Sequence, residues 1–121
     1  MQNKDILSLK IQETPKRVLR VTEANIKEVK VRGDSRHKVV FNTVEESTGK
    51  QFEISDVWIK GKTGEKRVGG LWLTLVDDQI NQASSLAKLL KHYNSPDIGS
   101  MVDKEVVAFP DENNFLVISA V

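Results

Sequence analysis

Apolar and polar residues alternate along most of this chain, and a period of two turns one face of an extended strand to a core and the other to water. Lys38–Val44, KVVFNTV, is rich in β-branched and aromatic residues. Phe52–Ile59 puts Phe52, Ile54, Asp56 and Trp58 on one face and Glu53, Ser55, Val57 and Ile59 on the other. In Leu71–Leu75 the three leucines share the face expected in the core, with Trp72 and Thr74 opposite. Glu105–Phe109 and Phe115–Val121 read as further strands, the last apolar enough for burial on both sides. Arg17–Arg32 predicts a long strand whose register slips near Ala24–Ile26, which points to a bulge, and Ile6–Ile11 predicts an edge strand before it. Between these runs lie Gly33-Asp34-Ser35, Ser47-Thr48-Gly49, Gly61–Gly64 and Pro110–Asn114, each short enough for a hairpin.

One segment departs from that period. Ser84–Tyr93 places Leu86, Ala87, Leu90 and Tyr93 on a helical stripe with Lys88 and Lys91 opposite, and Asn81, Ser84 or Ser85 can cap its start. Asn94 can end it, and Ser95-Pro96 can open a further short turn through Met101. A helix of about ten residues needs a docking surface, and the sheet is what this chain offers. The predicted fold is therefore mainly β: a small antiparallel OB-like barrel, with one α-helix at about residues 84–93 inserted before the last two strands as a plug for the core. A β-sandwich or another small barrel with one helix is the alternative. Residues 1–121 make one domain, long enough to bury a core unaided.

Composition removes several classes of chemistry. The chain has no cysteine, hence no disulfide framework, no Cys-ligated metal and no thiol nucleophile; this fits a reducing cytoplasm. The N-terminal MQNKDILSLK lacks an apolar signal core, and no apolar run approaches membrane-spanning length. His37 and His92 stand far apart without ligand spacing, and the adjacent Asp77-Asp78 lacks the alternating oxygen donors of a calcium loop. Gly61-Lys62-Thr63 has Asp56 where a phosphate-binding loop needs its first glycine. Ser85–Lys88 and Lys62–Gly64 match two β-lactamase elements in the wrong order, and Arg32-Gly33-Asp34 is a turn. No enzymatic activity and no cofactor are expected.

The constellation that remains is aromatic and basic. Net charge is only +1, yet residues 1–70 hold fifteen Lys/Arg against ten Asp/Glu and residues 71–121 hold three against seven. Proteins that bind single strands without strict sequence preference combine a positive groove with aromatic faces on which bases stack. Trp72, Trp58 and Phe41 are the candidate platforms, Trp72 foremost because it faces away from the leucines; for Phe41, and for Trp58 on the face of Phe52 and Ile54, the core is the favoured alternative. Arg20, Lys30, Arg32, Arg36, Lys38, Lys60, Lys62, Lys66 and Arg67 are the candidate phosphate contacts, and the basic hairpin Lys60–Arg67 follows Trp58 directly. Phe109, Phe115 and Tyr93 are assigned to the core.

Gly70-Leu-Trp-Leu-Thr-Leu75, Asp77-Asp78, Ser85–Leu90, His92-Tyr93-Asn94 and Lys104-Glu105-Val106 together resemble small phage-type single-stranded-DNA-binding proteins with an OB-like fold, over about residues 38–121. The resemblance implies single-stranded DNA, in preference to RNA, as partner in replication or recombination, and self-association into a homo-oligomer. The chain departs from the bacterial single-strand-binding proteins in ending on Leu116–Val121 instead of an acidic, glycine-rich tail. A second expectation, from a different class, is a protein-interaction or assembly module of a phage or mobile element.

Overall fold

The computed structural model describes residues 6–9 and 16–121. Among the described residues the elements run β1 (Arg17–Val31), β2 (Asp34–Glu45), β3 (Lys50–Ile54), β4 (Val57–Gly61), β5 (Gly64–Val68), β6 (Leu71–Trp72), β7 (Leu75–Val76), β8 (Gln79–Ile80), α1 (Ser85–His92), β9 (Glu105–Pro110) and β10 (Leu116–Ser119), with a 3₁₀ turn, Gly99–Met101, before β9. The chain is mainly β with one inserted helix, as its periodicities predict.

The main sheet has the order β3-β2-β1-β9-β10-β4-β5, and β6 pairs with β2 beside that path. Pairing is antiparallel except between β10 and β4, where Ile118 lies opposite Val57 and Ser119 opposite Trp58. The ladders do not close into the expected barrel: the pairing path ends at β3 on one side and β5 on the other. The interruption lies at Ser55-Asp56, where the predicted single strand Phe52–Ile59 breaks into β3 and β4. The Asp56 carboxylate leaves the ladder to accept from the Gly70 amide at 2.8 Å and from Arg67 at 2.8 Å. The break resets the alternation, so Ile54, Val57 and Ile59 all enter the core and Trp58 faces outward, where unbroken alternation would pair it with Ile54.

Other corrections have equally local causes. The register slip in β1 falls between Val21 and Glu23, just before the expected Ala24–Ile26. Leu71–Leu75 is not one strand: Leu71 is fully buried and Leu73 packs at the core's edge, but Leu75 is about half exposed in the small β7–β8 hairpin. That hairpin turns at Asp77-Asp78, both at positive φ, the conformation that two-residue turns require. Ile6 and Leu7 lie in a helical turn closed by the Leu9 amide on the Ile6 carbonyl, and the rest of the expected edge strand, Lys10 and Ile11, lies outside the described residues.

The helix sits where its stripe predicts. Ser84 caps it, its hydroxyl accepting from the Ala87 amide at 3.1 Å, and Leu86, Ala87, Leu89 and Leu90 are buried. Leu86, Leu89 and Leu90 meet Leu19, Val21, Val39, Phe41, Val106 and Ile118 in one core. Tyr93 ties helix to sheet: its hydroxyl donates to the Ser119 carbonyl at 2.6 Å and accepts from the Val107 amide at 3.1 Å, bridging β10 and β9 beyond their last ladder pair. Burial pushes its phenol pKa up, only partly opposed by the Val107 bond.

Candidate nucleic-acid interface

β1 and β2 form a long ribbon, paired from Arg20–Val44 to Val31–Asp34, and its outer half leaves the core. From Ile26 to Lys38 every residue is exposed or only partly buried; burial resumes at Val39. The turn Arg32-Gly33 takes φ of 52° and 84°, the double positive pair that matches the twist of a two-residue hairpin. This outer half carries Lys27, Lys30, Arg32, Arg36 and Lys38 against Glu28 and Asp34.

Directly opposed residues in neighbouring strands share a face. Trp72 of β6 lies opposite Lys38 of β2, and Lys38 lies opposite Lys27 of β1. An indole and two ammonium groups therefore stand in one row across three strands, about 5 Å apart from strand to strand. Val29 and Arg36, paired two residues on, extend that face outward. Lys27 is 3.6 Å from Glu53, whereas Lys38 and Arg36 form no ion pair among the described residues.

The Trp72 ring has a particular seat. A Cβ built on Gly70 would lie 2.6 Å from Trp72 Nε1 and 2.9 Å from Cε2, so the indole lies on the Gly70 backbone. Gly70 stands at φ 89°, and its amide is held by Asp56. Only glycine supplies both the fold-back and the space. One face of the indole is thus spent on backbone, which fixes the ring without enclosing it; Trp72 remains partly exposed.

Trp58 has different neighbours. It meets the Phe109 ring edge-on at 5.5 Å, and its Nε1 donates to Glu65 at 3.4 Å. Both rings line an open groove of about 790 Å³ with Pro110, Ser119 and Val121. Its charged lining is Lys16 and Arg67 against Glu65, Asp111 and Glu112. Arg67 is already held between Asp56 and Asp111, each at 2.8 Å. A phosphate chain meets no free guanidinium there.

The remaining sequence candidates divide in the same way. Phe41 is fully buried and serves the core, not a base; its place opposite Ile54 and Ala24 puts it on the inner face. Arg20 is committed to Glu46 and Asp103. Lys60, Lys62 and Lys66 stand on or beside the β4–β5 hairpin, and with Lys30 and Arg32 they form no ion pair among the described residues. Phe115, expected in the core, is 64% exposed in the β9–β10 turn, where the Asp111 carboxylate caps its amide at 3.0 Å. Phe109 lies in the groove instead of the main core, while Tyr93 packs against that core. The signal for Phe115 was present in Asp-Glu-Asn-Asn, since a polar turn holds its final residue outside the sheet. No protein-family model matches this chain, and comparison with curated proteins and with solved structures likewise gives no match.

Proposed function

We propose that this chain is a non-catalytic single-stranded nucleic-acid-binding domain, favouring DNA, that lays its strand across the β6–β2–β1 face. The observation that carries this reading is the row Trp72, Lys38, Lys27, continued by Arg36 onto the basic ribbon. A base stacks on the outer face of the indole while the ammonium and guanidinium groups beside it neutralise phosphates. The Lys60–Lys66 hairpin supplies further cations.

The strand order supports an OB-like arrangement behind that face. From β1 the path runs through β2 to β3, along the chain over Ser55-Asp56 to β4, then by pairing to β10, β9 and back to β1. One link of that circuit is covalent, not hydrogen-bonded. The helix precedes the last two strands, and in such folds the turn between the first two strands and the turn between the last two flank the bound oligonucleotide. Here those turns are Arg32-Gly33 and Asp111–Phe115, one basic and one bearing an exposed aromatic. A role in replication or recombination in the cytoplasm of a phage-infected cell follows the sequence resemblance.

The test is titration of a fluorescent oligo(dT) at about 20 and 300 mM salt. Tight binding that weakens steeply with salt is expected, and no binding at the lower salt overturns the reading. Loss of a stacked base in Trp72→Ala should weaken binding by about 1–3 kcal/mol. Full affinity in Trp72→Ala would remove Trp72 from the interface.

A further inference from the structure

We propose that the Trp58 groove receives the tip of the β1–β2 ribbon from a second copy of this chain, seating Arg32 against the Trp58–Phe109 pair between Glu65 and Glu112. This inference does not involve the Trp72, Lys38 and Lys27 row, but it uses the Arg32-Gly33 and Asp111–Phe115 turns that flank the proposed strand path, so a copy docked there and a strand reaching those turns compete. It begins from charge. The groove joins aromatic surface to three carboxylates, and its one guanidinium, Arg67, is locked by Asp56 and Asp111. Asp111 is thereby used up, its side chain 3% exposed, which leaves Glu65 and Glu112 as the groove's free anions. Glu65 has the weak Trp58 bond as its described partner, and Glu112 forms no ion pair among the described residues. Among the described residues Lys16 is the one other cation in the lining, so Glu65 and Glu112 still leave the groove net negative. Such a site disfavours phosphates and suits a cation, above all a guanidinium, which lies flat on an aromatic face while its N–H groups reach carboxylates.

The chain itself carries the complementary shape. Arg32 stands at the apex of the ribbon, seven residues beyond buried Val39, so the tip projects about 20 Å from the core. A two-stranded ribbon in water is marginal by itself, and Ile26 is left 48% exposed along it, so docking relieves a cost the monomer bears. Pairing up to Val31–Asp34 preforms the tip, which keeps the entropy of docking low. Donor and acceptor are different surfaces, so the contact is head-to-tail and continues into a chain of copies or closes into a ring.

The experiment is sedimentation of the nuclease-treated full chain. The wild type should associate with rising concentration at about 50 mM salt and dissociate at about 500 mM. Arg32→Glu alone, and Glu65→Arg with Glu112→Arg, should each weaken association by about tenfold or more. Mixed in equal amounts, the two variants should associate again, because each supplies the charge that the other now needs; this recovery also shows that both are folded. A wild type that stays monomeric at both salts overturns the proposal, as does Arg32→Glu that associates like wild type, or a mixture that stays monomeric. If the wild type is monomeric while the groove variant weakens oligo(dT) binding despite its added positive charge, the groove belongs to nucleic acid and not to a second copy.

Discussion

Trp72 and Trp58 are the same residue on outward faces of strands, and their surroundings are opposite. Trp72 lies across from Lys38 and, one strand further, Lys27, with its ring resting on Gly70. Trp58 lies across from Arg67, but that cation is held by two aspartates, and the groups nearby without an ion pair among the described residues are Glu65 and Glu112 against Lys16. Both tryptophans belong to the basic-and-aromatic pattern of the linear chain. Sheet partners sort them, because a cation one residue away in sequence points to the other face whereas a cation opposite in register lies beside the ring. The proposal that only the Trp72 side carries a nucleic-acid strand rests on that difference.

The largest effect to test it is the contrast between two alanine variants. Trp72→Ala should weaken oligo(dT) binding by about 5- to 150-fold at low salt, whereas Trp58→Ala should stay within about twofold of wild type. Equal losses in an anisotropy titration would break the contrast and put both tryptophans on one strand path.

The next effect concerns the residue that joins the two regions. Asp56 accepts from Arg67 on the Trp58 side with one oxygen and from the Gly70 amide on the Trp72 side with the other. Asp56→Ala leaves the Gly70 amide without its acceptor and Arg67 with Asp111 alone. A loss of about 1–3 kcal/mol is expected in chemical denaturation. The emission of both tryptophans, read in single-tryptophan backgrounds, should shift. A shift of Trp72 alone would show that Asp111 suffices to hold Arg67.

The helix was legible in the sequence to within a residue at each end because its stripe, its Ser84 cap and Asn94 at φ 55° all agree. The hairpin turns were legible for the same kind of reason, since glycine, aspartate and asparagine mark backbone that other residues avoid. The face of Trp58 was not legible. A strand's alternation says which residues share a side only while the strand continues, and the break at Asp56 is made by partners 11 and 14 residues away. The row of Trp72, Lys38 and Lys27 was equally hidden, because it depends on β6 pairing beside β3 on the edge of β2. Phe41 is an aromatic of the basic half and so a platform candidate, but the core is its favoured place in the sequence, and the structure buries it there.

A smaller effect isolates the seat of Trp72. Gly70→Ala introduces a methyl group 2.6 Å from Nε1 at a backbone angle of +89°. The strain should cost about 1–2 kcal/mol of stability. Its second consequence is the informative one: the ring must leave the backbone, so oligo(dT) affinity should fall while association through the groove stays unchanged. If affinity survives the displaced ring, the lysine row carries the binding and the indole is incidental.

The smallest effect sets the pH range in which these comparisons hold. Glu45, at the end of β2, accepts the Thr48 hydroxyl at 2.7 Å and an Arg17 nitrogen at 2.9 Å, and Arg17 in turn lies 5.3 Å from the Phe52 ring centre. The Thr48 bond first, and Arg17 after it, hold the Glu45 carboxyl below the usual glutamate range against the opposing pull of desolvation. A carboxyl whose folded pKa is lowered contributes stability that is fully present above the unfolded value of about 4.3 and is lost as pH falls through the folded one. Glu45→Gln should therefore be less stable than wild type at pH 7, and the gap should narrow on acidification below about pH 4. Urea midpoints of the two proteins from pH 3 to 7 measure this. A gap that stays constant over that range would mean that Glu45 acts through packing alone, with its charge contributing nothing to the closure of the β2–β3 turn.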